Sequence, residues 1–450
     1  MMSAAMVLLL PAASGGLTHY GYESWGAVIK AGRCGMELKI PWRTSVSPAE
    51  PQTGTLSCKL EGGIKHYRFS AGIFEIGEQL LVPENTSLTG VAGPNDMSKP
   101  TKSPDWSGQT LFLATRGATD YNMNYCHAKD MVTTRVGFVL SSHVTVRNIS
   151  YQGIDTIRPG QNGALCGGGA FETKGCAEND CKKSAVNNGG SDGMGSVGVT
   201  IDNVRLNDYY RTEDTPKIGP GKVAGNYNCS AGGCCFCKPN GVRASQVGVW
   251  APQSRDPGGT RSLLVKNLVS SATQADGINL HGYIKDALIQ DTHISDTGDD
   301  TYAQWGGNLS PENVTWSRNV AVNTGILRPG WYGNCFATYG LKSVLIEDMT
   351  CQNPALLHRV RNAKGATDLN DVSMFVFYTS FGGVYPAGNN VTIKGWTFND
   401  MHGRPYTAAT GSTWGGKAVP GKMFWTDHKP YLVRGGKQHV NINFIDGSTV

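Results

Sequence analysis

The chain has 450 residues, a formal net charge of +5 and a charged fraction of 17%, with Lys and Arg scattered along its length. That scatter argues against a nucleic-acid partner, which needs a concentrated basic surface. No apolar run reaches the ~18 to 20 residues of a membrane span.

At the N-terminus, "MMSAAMVLLLPAASGG" has an apolar stretch of signal-peptide length followed by small residues, although it lacks a leading positive charge. Residues 1–14 are therefore expected to be a secretion signal, 15–60 a lead-in segment and 61–450 the main domain. Twelve cysteines fit that export, because a large even set persists as disulfides in an oxidising compartment. Cys34 with Cys58 and Cys335 with Cys351 read as local pairs. The cluster "CSAGGCCFC" reads as disulfide staples in preference to a zinc site, since no matching ligand spacing occurs elsewhere. Six Asn-x-Ser/Thr sequons, at Asn85, Asn148, Asn228, Asn308, Asn313 and Asn390, fit a secreted glycoprotein.

Glycine is abundant, at 59 residues, and β-branched runs are short, which predicts many brief strands separated by turns. "HYRFSAGIFEIGEQLLVPENTSLTGVAG" reads as the first of these. A ten-residue phrase of alternating apolar residues with a central polar residue then recurs from Val144, Val199, Leu263, Ala287, Val314, Val344 and Val391. The starts at 263, 287, 314 and 344 are 24, 27 and 30 residues apart, a period expected of one solenoid turn. Strand, corner and strand in each phrase predict an all-β right-handed parallel β-helix, with Gly- and Cys-rich insertions near 154–196 and 211–247 walling a groove. A two-sheet sandwich offers similar strand lengths but no reason to repeat one phrase at coil spacing.

Aligned by that phrase, Asp276 and Asp300 each lie thirteen residues after a phrase start, at Leu263 and Ala287. "DGINLHG", "DTYAQWG" and "NCFATYG" end alike at Gly282, Gly306 and Gly340, which puts Asn334 at the same station one coil on. Asp299 adjoins Asp300. Crowded carboxylates cannot all ionise freely, and a protonated carboxyl beside an ionised one is the equipment for cleaving a glycosidic bond. Ordinary solenoid corners also favour Asp-Gly and Gly-Asp-Asp, so it is the shared station that argues for function. If Ile278 and Leu280 face the bore, Asn279 and His281 face out, and His281, Trp305 and Tyr339 are expected to form an exposed aromatic ladder suited to sugar rings. Trp331 and Tyr332, Asn334 itself and Trp250 are further candidates for substrate contact.

"ADGINL", followed by "GDD" and then a coil ending "YG", resembles the catalytic region of glycoside hydrolase family 87, the α-1,3-glucanases and mycodextranases. The resemblance implies an endo-acting, inverting hydrolase of α-glucan, and the chain is expected to be a secreted monomer without metal or other cofactor. Asp276, Asp299 and Asp300 would be its acids. By analogy with polygalacturonases, Asp299 would protonate the leaving oxygen while Asp276 and Asp300 deprotonate water. The Gly-His-Gly and Arg-Ile-Lys elements of polygalacturonases are missing, which counts against pectin. Two other functions suit the same fold: a uronate lyase or epimerase, with the acids as calcium ligands, and a non-catalytic carbohydrate-binding solenoid.

Overall fold

The computed structural model describes residues 22–41, 53–92, 108–115, 136–154, 169–174, 194–208, 244–253, 259–306, 309–325, 334–352, 359–361, 367–369, 375–378, 384–399, 412–414, 417–419, 431–434, 442–445 and 448–449. Among them, nine strands from Gln79–Val82 to Tyr431–Arg434 stack into one wholly parallel sheet, and a second long sheet holds the recurring phrase. Each strand pairs with the strand one coil later, which is a parallel β-helix.

The phrase aligns in register from coil to coil. Val146, Ile201, Val265, Ile289, Trp316, Ile346 and Ile393 occupy one column and are buried. The polar residue at the centre of each phrase is a corner. Asn148, Asn203, Asn267, Asp291, Arg318, Asp348 and Gly395 all have φ between 51° and 59°, the left-handed region that Asn, Asp and Gly enter most readily. Arg318 is the exception by type, and its guanidinium holds both carboxylate oxygens of Asp291, at 2.7 and 2.8 Å.

Across the bore, Leu80, Phe138, Phe171, Val249, Ile278, Tyr302, Phe336 and Phe375 form the facing column. Alternation along each strand thus fills the bore with apolar side chains, the largest stabilising contribution available to a solenoid. Tyr302 is accommodated there because its hydroxyl donates to the Val320 carbonyl at 2.9 Å and meets the Thr292 hydroxyl at 2.8 Å.

The helix Tyr22–Lys30 covers one end of the bore: Trp25 is fully buried with its ring 5.2 Å from Phe112 and 5.8 Å from Phe69. The antiparallel strands Thr53–Glu61 and Ile64–Phe69 join there across Gly62 and Gly63, and Cys34–Cys58 links them to the segment after the helix. The second expected pair, Cys335–Cys351, is also formed and fully buried. Among the sequons, Asn85, Asn313 and Asn390 are exposed and Asn148 is half-buried. Residues 1–14, the "CSAGGCCFC" cluster, Asn228 and Asn308 lie outside the described residues. Among the described residues, no helix is long and apolar enough to cross a membrane.

Candidate active site

Three strands position the acids: Ile278–His281, Tyr302–Trp305 and Phe336–Tyr339 are successive rungs of the nine-stranded sheet. Ile278, Tyr302 and Phe336 align, so the residues two places earlier, Asp276, Asp300 and Asn334, share a station as the spacing predicts. Left-handed glycines, Gly282 at φ 88° and Gly340 at φ 103°, end the first and third strands. The three acids each offer an oxygen such that all lie within 4.8 Å of one another. They are buried, with Asp276 and Asp299 keeping 6% and 7% of their surface and Asp300 2%.

Each acid is held differently. Asp300 Oδ1 accepts the Asn334 backbone N–H at 2.7 Å and its side-chain amide at 2.8 Å, while Oδ2 accepts the Tyr339 hydroxyl at 2.8 Å. Burial, and next the Asp276 carboxylate, push Asp300 up to about 7 against the pull of those three donors. The two carboxyls interact, so the retained proton belongs to the Asp276/Asp300 pair. Asp276 Oδ2 accepts the Asn279 side-chain amide at 2.5 Å, and Asp299 Oδ1 accepts the Asp300 backbone N–H at 3.1 Å. Asn279 Oδ1 is buried and has no hydrogen-bond partner among the described residues, a waiting acceptor beside the acids.

The aromatic ladder exists, but it is not the exposed one expected from alternation. His281, Trp305 and Tyr339 align in register; His281–Trp305 centroids are 5.5 Å apart and Trp305–Tyr339 stack at 3.9 Å. Yet His281 and Tyr339 are buried and Trp305 is half-buried. Tyr339 packs with Ala337 and Val376, and Trp305 lies against that cluster. Burial lowers His281 to about 4, so its imidazole is neutral at physiological pH. Trp250, expected in the groove, is fully buried against Val247 and Ala275. Trp331 and Tyr332 lie outside the described residues.

Sequence reasoning missed that Asn334 and Tyr339 spend their polar groups on Asp300. A shared station can be counted from sequence, whereas the direction of a hydroxyl cannot. It also missed a signal that was countable, Thr-x-x-Asp before each aligned acid, at Thr273 and Thr297. Chemically, the cluster can hold and exchange a proton between close carboxyls. Its all-oxygen donor set also suits a hard cation such as Ca²⁺.

No protein-family model matches the sequence, and no curated protein does. Among solved structures, the chain aligns over 74% of its length with the catalytic unit of a thermostable glycoside hydrolase family 87 α-1,3-glucanase from Streptomyces thermodiastaticus strain HF3-3, at 13% identity and TM-score 0.41. It aligns over 84% with the catalytic domain of a family 87 α-1,3-glucanase in complex with nigerose, at 15% identity and TM-score 0.40. It spans 40% and 48% of the length of those two chains. PfbA, a surface adhesin of Streptococcus pneumoniae, aligns over 83% of this chain and 91% of its own, at 10% identity and TM-score 0.32.

Proposed function

We propose that this protein is a glycoside hydrolase acting on α-glucan, α-1,3-linked or mixed α-1,3/α-1,4, with Asp276, Asp299 and Asp300 as its acids. The observation that carries the reading is the convergence of three carboxyls within 4.8 Å, one of them raised to about 7. A general base titrating near neutrality is close to optimal for catalysis at that pH. The choice of α-glucan rests on the resemblance of "ADGINL" and "GDD" to family 87.

In the proposed reaction Asp299 gives its proton to the glycosidic oxygen as the bond from that oxygen to the anomeric carbon breaks. Water adds to that carbon and loses its proton to the Asp276/Asp300 pair. The Asn279 carbonyl oxygen, lacking a donor, receives a hydroxyl of the sugar or of that water. Cys34–Cys58 and Cys335–Cys351 support secretion, since disulfides persist in oxidising compartments. We read the protein as a monomer.

The reading has two stereochemical variants. Inverting enzymes separate their carboxyl groups by ~6.5–9.5 Å to admit water, and retaining enzymes by ~5–5.5 Å. In the second arrangement one Asp attacks the anomeric carbon, and the first-formed anomer distinguishes the two.

The test is incubation with α-1,3-, α-1,4- and α-1,6-glucans and pectin, with and without chelator, following the first-formed anomer by NMR. Sugar release from an α-glucan, lost in Asp276→Asn, Asp299→Asn and Asp300→Asn, is expected. Full activity in all three variants would end the proposal, and a chelator-sensitive unsaturated product from pectin would replace it with a lyase.

A further inference from the structure

Beneath the acids runs a set of buried hydroxyls that the proposed chemistry does not use. Thr273, Thr297, Thr301 and Thr324 are all completely buried. Thr273 and Thr297 are bridged neighbours on adjacent coils, and each opens a Thr-x-x-Asp sequence, "TQAD" ending at Asp276 and "TGDD" at Asp300. Thr273 Oγ1 donates to the Ala275 carbonyl at 3.0 Å, and Thr297 Oγ1 donates to the Asp299 carbonyl at 2.7 Å. Each hydroxyl therefore fixes the peptide plane that leads into the acid. The two turns are also joined, because the Ala275 carbonyl accepts the Asp299 backbone N–H at 3.3 Å.

A second chain of contacts stands behind the later turn. The Thr301 and Thr324 hydroxyls are 2.6 Å apart, and Thr324 Oγ1 is 3.6 Å from Cys335 Sγ. A disulfide sulfur carries no hydrogen, so Thr324 donates to it and Thr301 donates to Thr324. The Gly325 backbone N–H donates to Thr297 Oγ1 at 3.3 Å. The Thr324–Gly325 segment thus grips residues on both sides of Asp299 and Asp300. Through Cys335 it also reaches the neighbour of Asn334, the residue that bonds Asp300 twice.

We propose that Thr297 and Thr301 are positioning residues, their hydroxyls holding the Gly298–Asp300 turn so that both acids stay within reach of Asp276. The proposal rests on the hydrolase reading of those acids and adds the means by which their geometry is kept. A threonine that only filled space would not need its hydroxyl, because valine has the same shape.

Thr297→Val and Thr301→Val delete the hydroxyl, while Thr297→Ser and Thr301→Ser keep it and delete the methyl. Two readouts apply: turnover of α-1,3-glucan, and ¹³C NMR titration of the Asp carboxyls, which needs no substrate. Each Val variant should lose on the order of 10²-fold in kcat, as a misplacement of ~1 Å does, with KM little changed. The titration of the Asp276/Asp300 pair should move, and the Ser variants should restore both readouts. Unchanged titration and kcat in both Val variants, with only a lower melting temperature, would overturn the proposal. If the wild type turns over no α-glucan, the hydrolase reading fails separately, and the titration still decides for or against Thr297 and Thr301. Should a Val variant not fold, Thr273→Val removes a single bond one coil earlier and carries the same titration readout at Asp276.

Discussion

Asp300 takes three donor hydrogens and still sits at about 7, so burial and the neighbouring Asp276 outweigh strong local stabilisation of its charge. Removing one donor should tip the balance further. In Tyr339→Phe the ionised carboxylate loses a hydrogen bond, its pKa climbs, and the acidic limb of the kcat/KM profile should move to higher pH. A Tyr339 that served only as a sugar platform would keep its ring in Tyr339→Phe and leave the limb in place. Asp299→Asn should lower kcat by ~10²–10⁴-fold, the usual worth of a general acid, measured on a soluble α-1,3-glucan oligosaccharide. At this scale the sequence was partly legible. Asp276 and Asp300 could be brought together by counting, but the packing of Tyr339 against Trp305, Ala337 and Val376 depends on rotamers that alternation does not encode.

The repeated phrase owes its register to its corners. Asn203 has φ 53° and donates its side-chain amide to Asn148 one coil earlier at 2.8 Å. Asn203→Ala loses both the tolerance for that conformation and the hydrogen bond, and should cost about 1–3 kcal/mol in urea unfolding. Asn203→Gly keeps the tolerance and should cost about 1 kcal/mol or less. Arg318 shows that the rule has slack: an ordinary side chain adopts the same φ where a bidentate partner, Asp291, lies one coil earlier. These elements were the most legible part of the fold, because a central Asn or Asp between alternating apolar residues specifies strand, corner and strand together. The cap was not legible. A nine-residue helix carries too short a pattern to separate from a loop, and Trp25 has meaning only against Phe69 and Phe112, brought near by the fold.

For the molecule as a whole, the raised Asp300 couples stability to pH. The native state holds a proton that the unfolded chain, with an Asp pKa of about 3.9, has already released. This contribution is full below pH ~4 and is lost as the pH rises through about 7. Wild-type protein should therefore lose melting temperature relative to Asp300→Asn between pH 4 and 7.5, measured by scanning calorimetry at fixed ionic strength. A constant gap between the two proteins would show that Asp300 is already ionised throughout that range.

Because Asp276 and Asp300 descend from one position on consecutive turns, the solenoid acts as a ruler whose marks are ~4.8 Å apart. A change of side chain at those two places leaves the gap between their backbones unaltered. A wider one comes only by skipping a mark, as in Asp300→Asn combined with Asn334→Asp, which sets the aligned backbones two marks, or roughly 9–10 Å, apart. In such an architecture the stereochemical course of a reaction would change in steps, by relocating a charge along the axis.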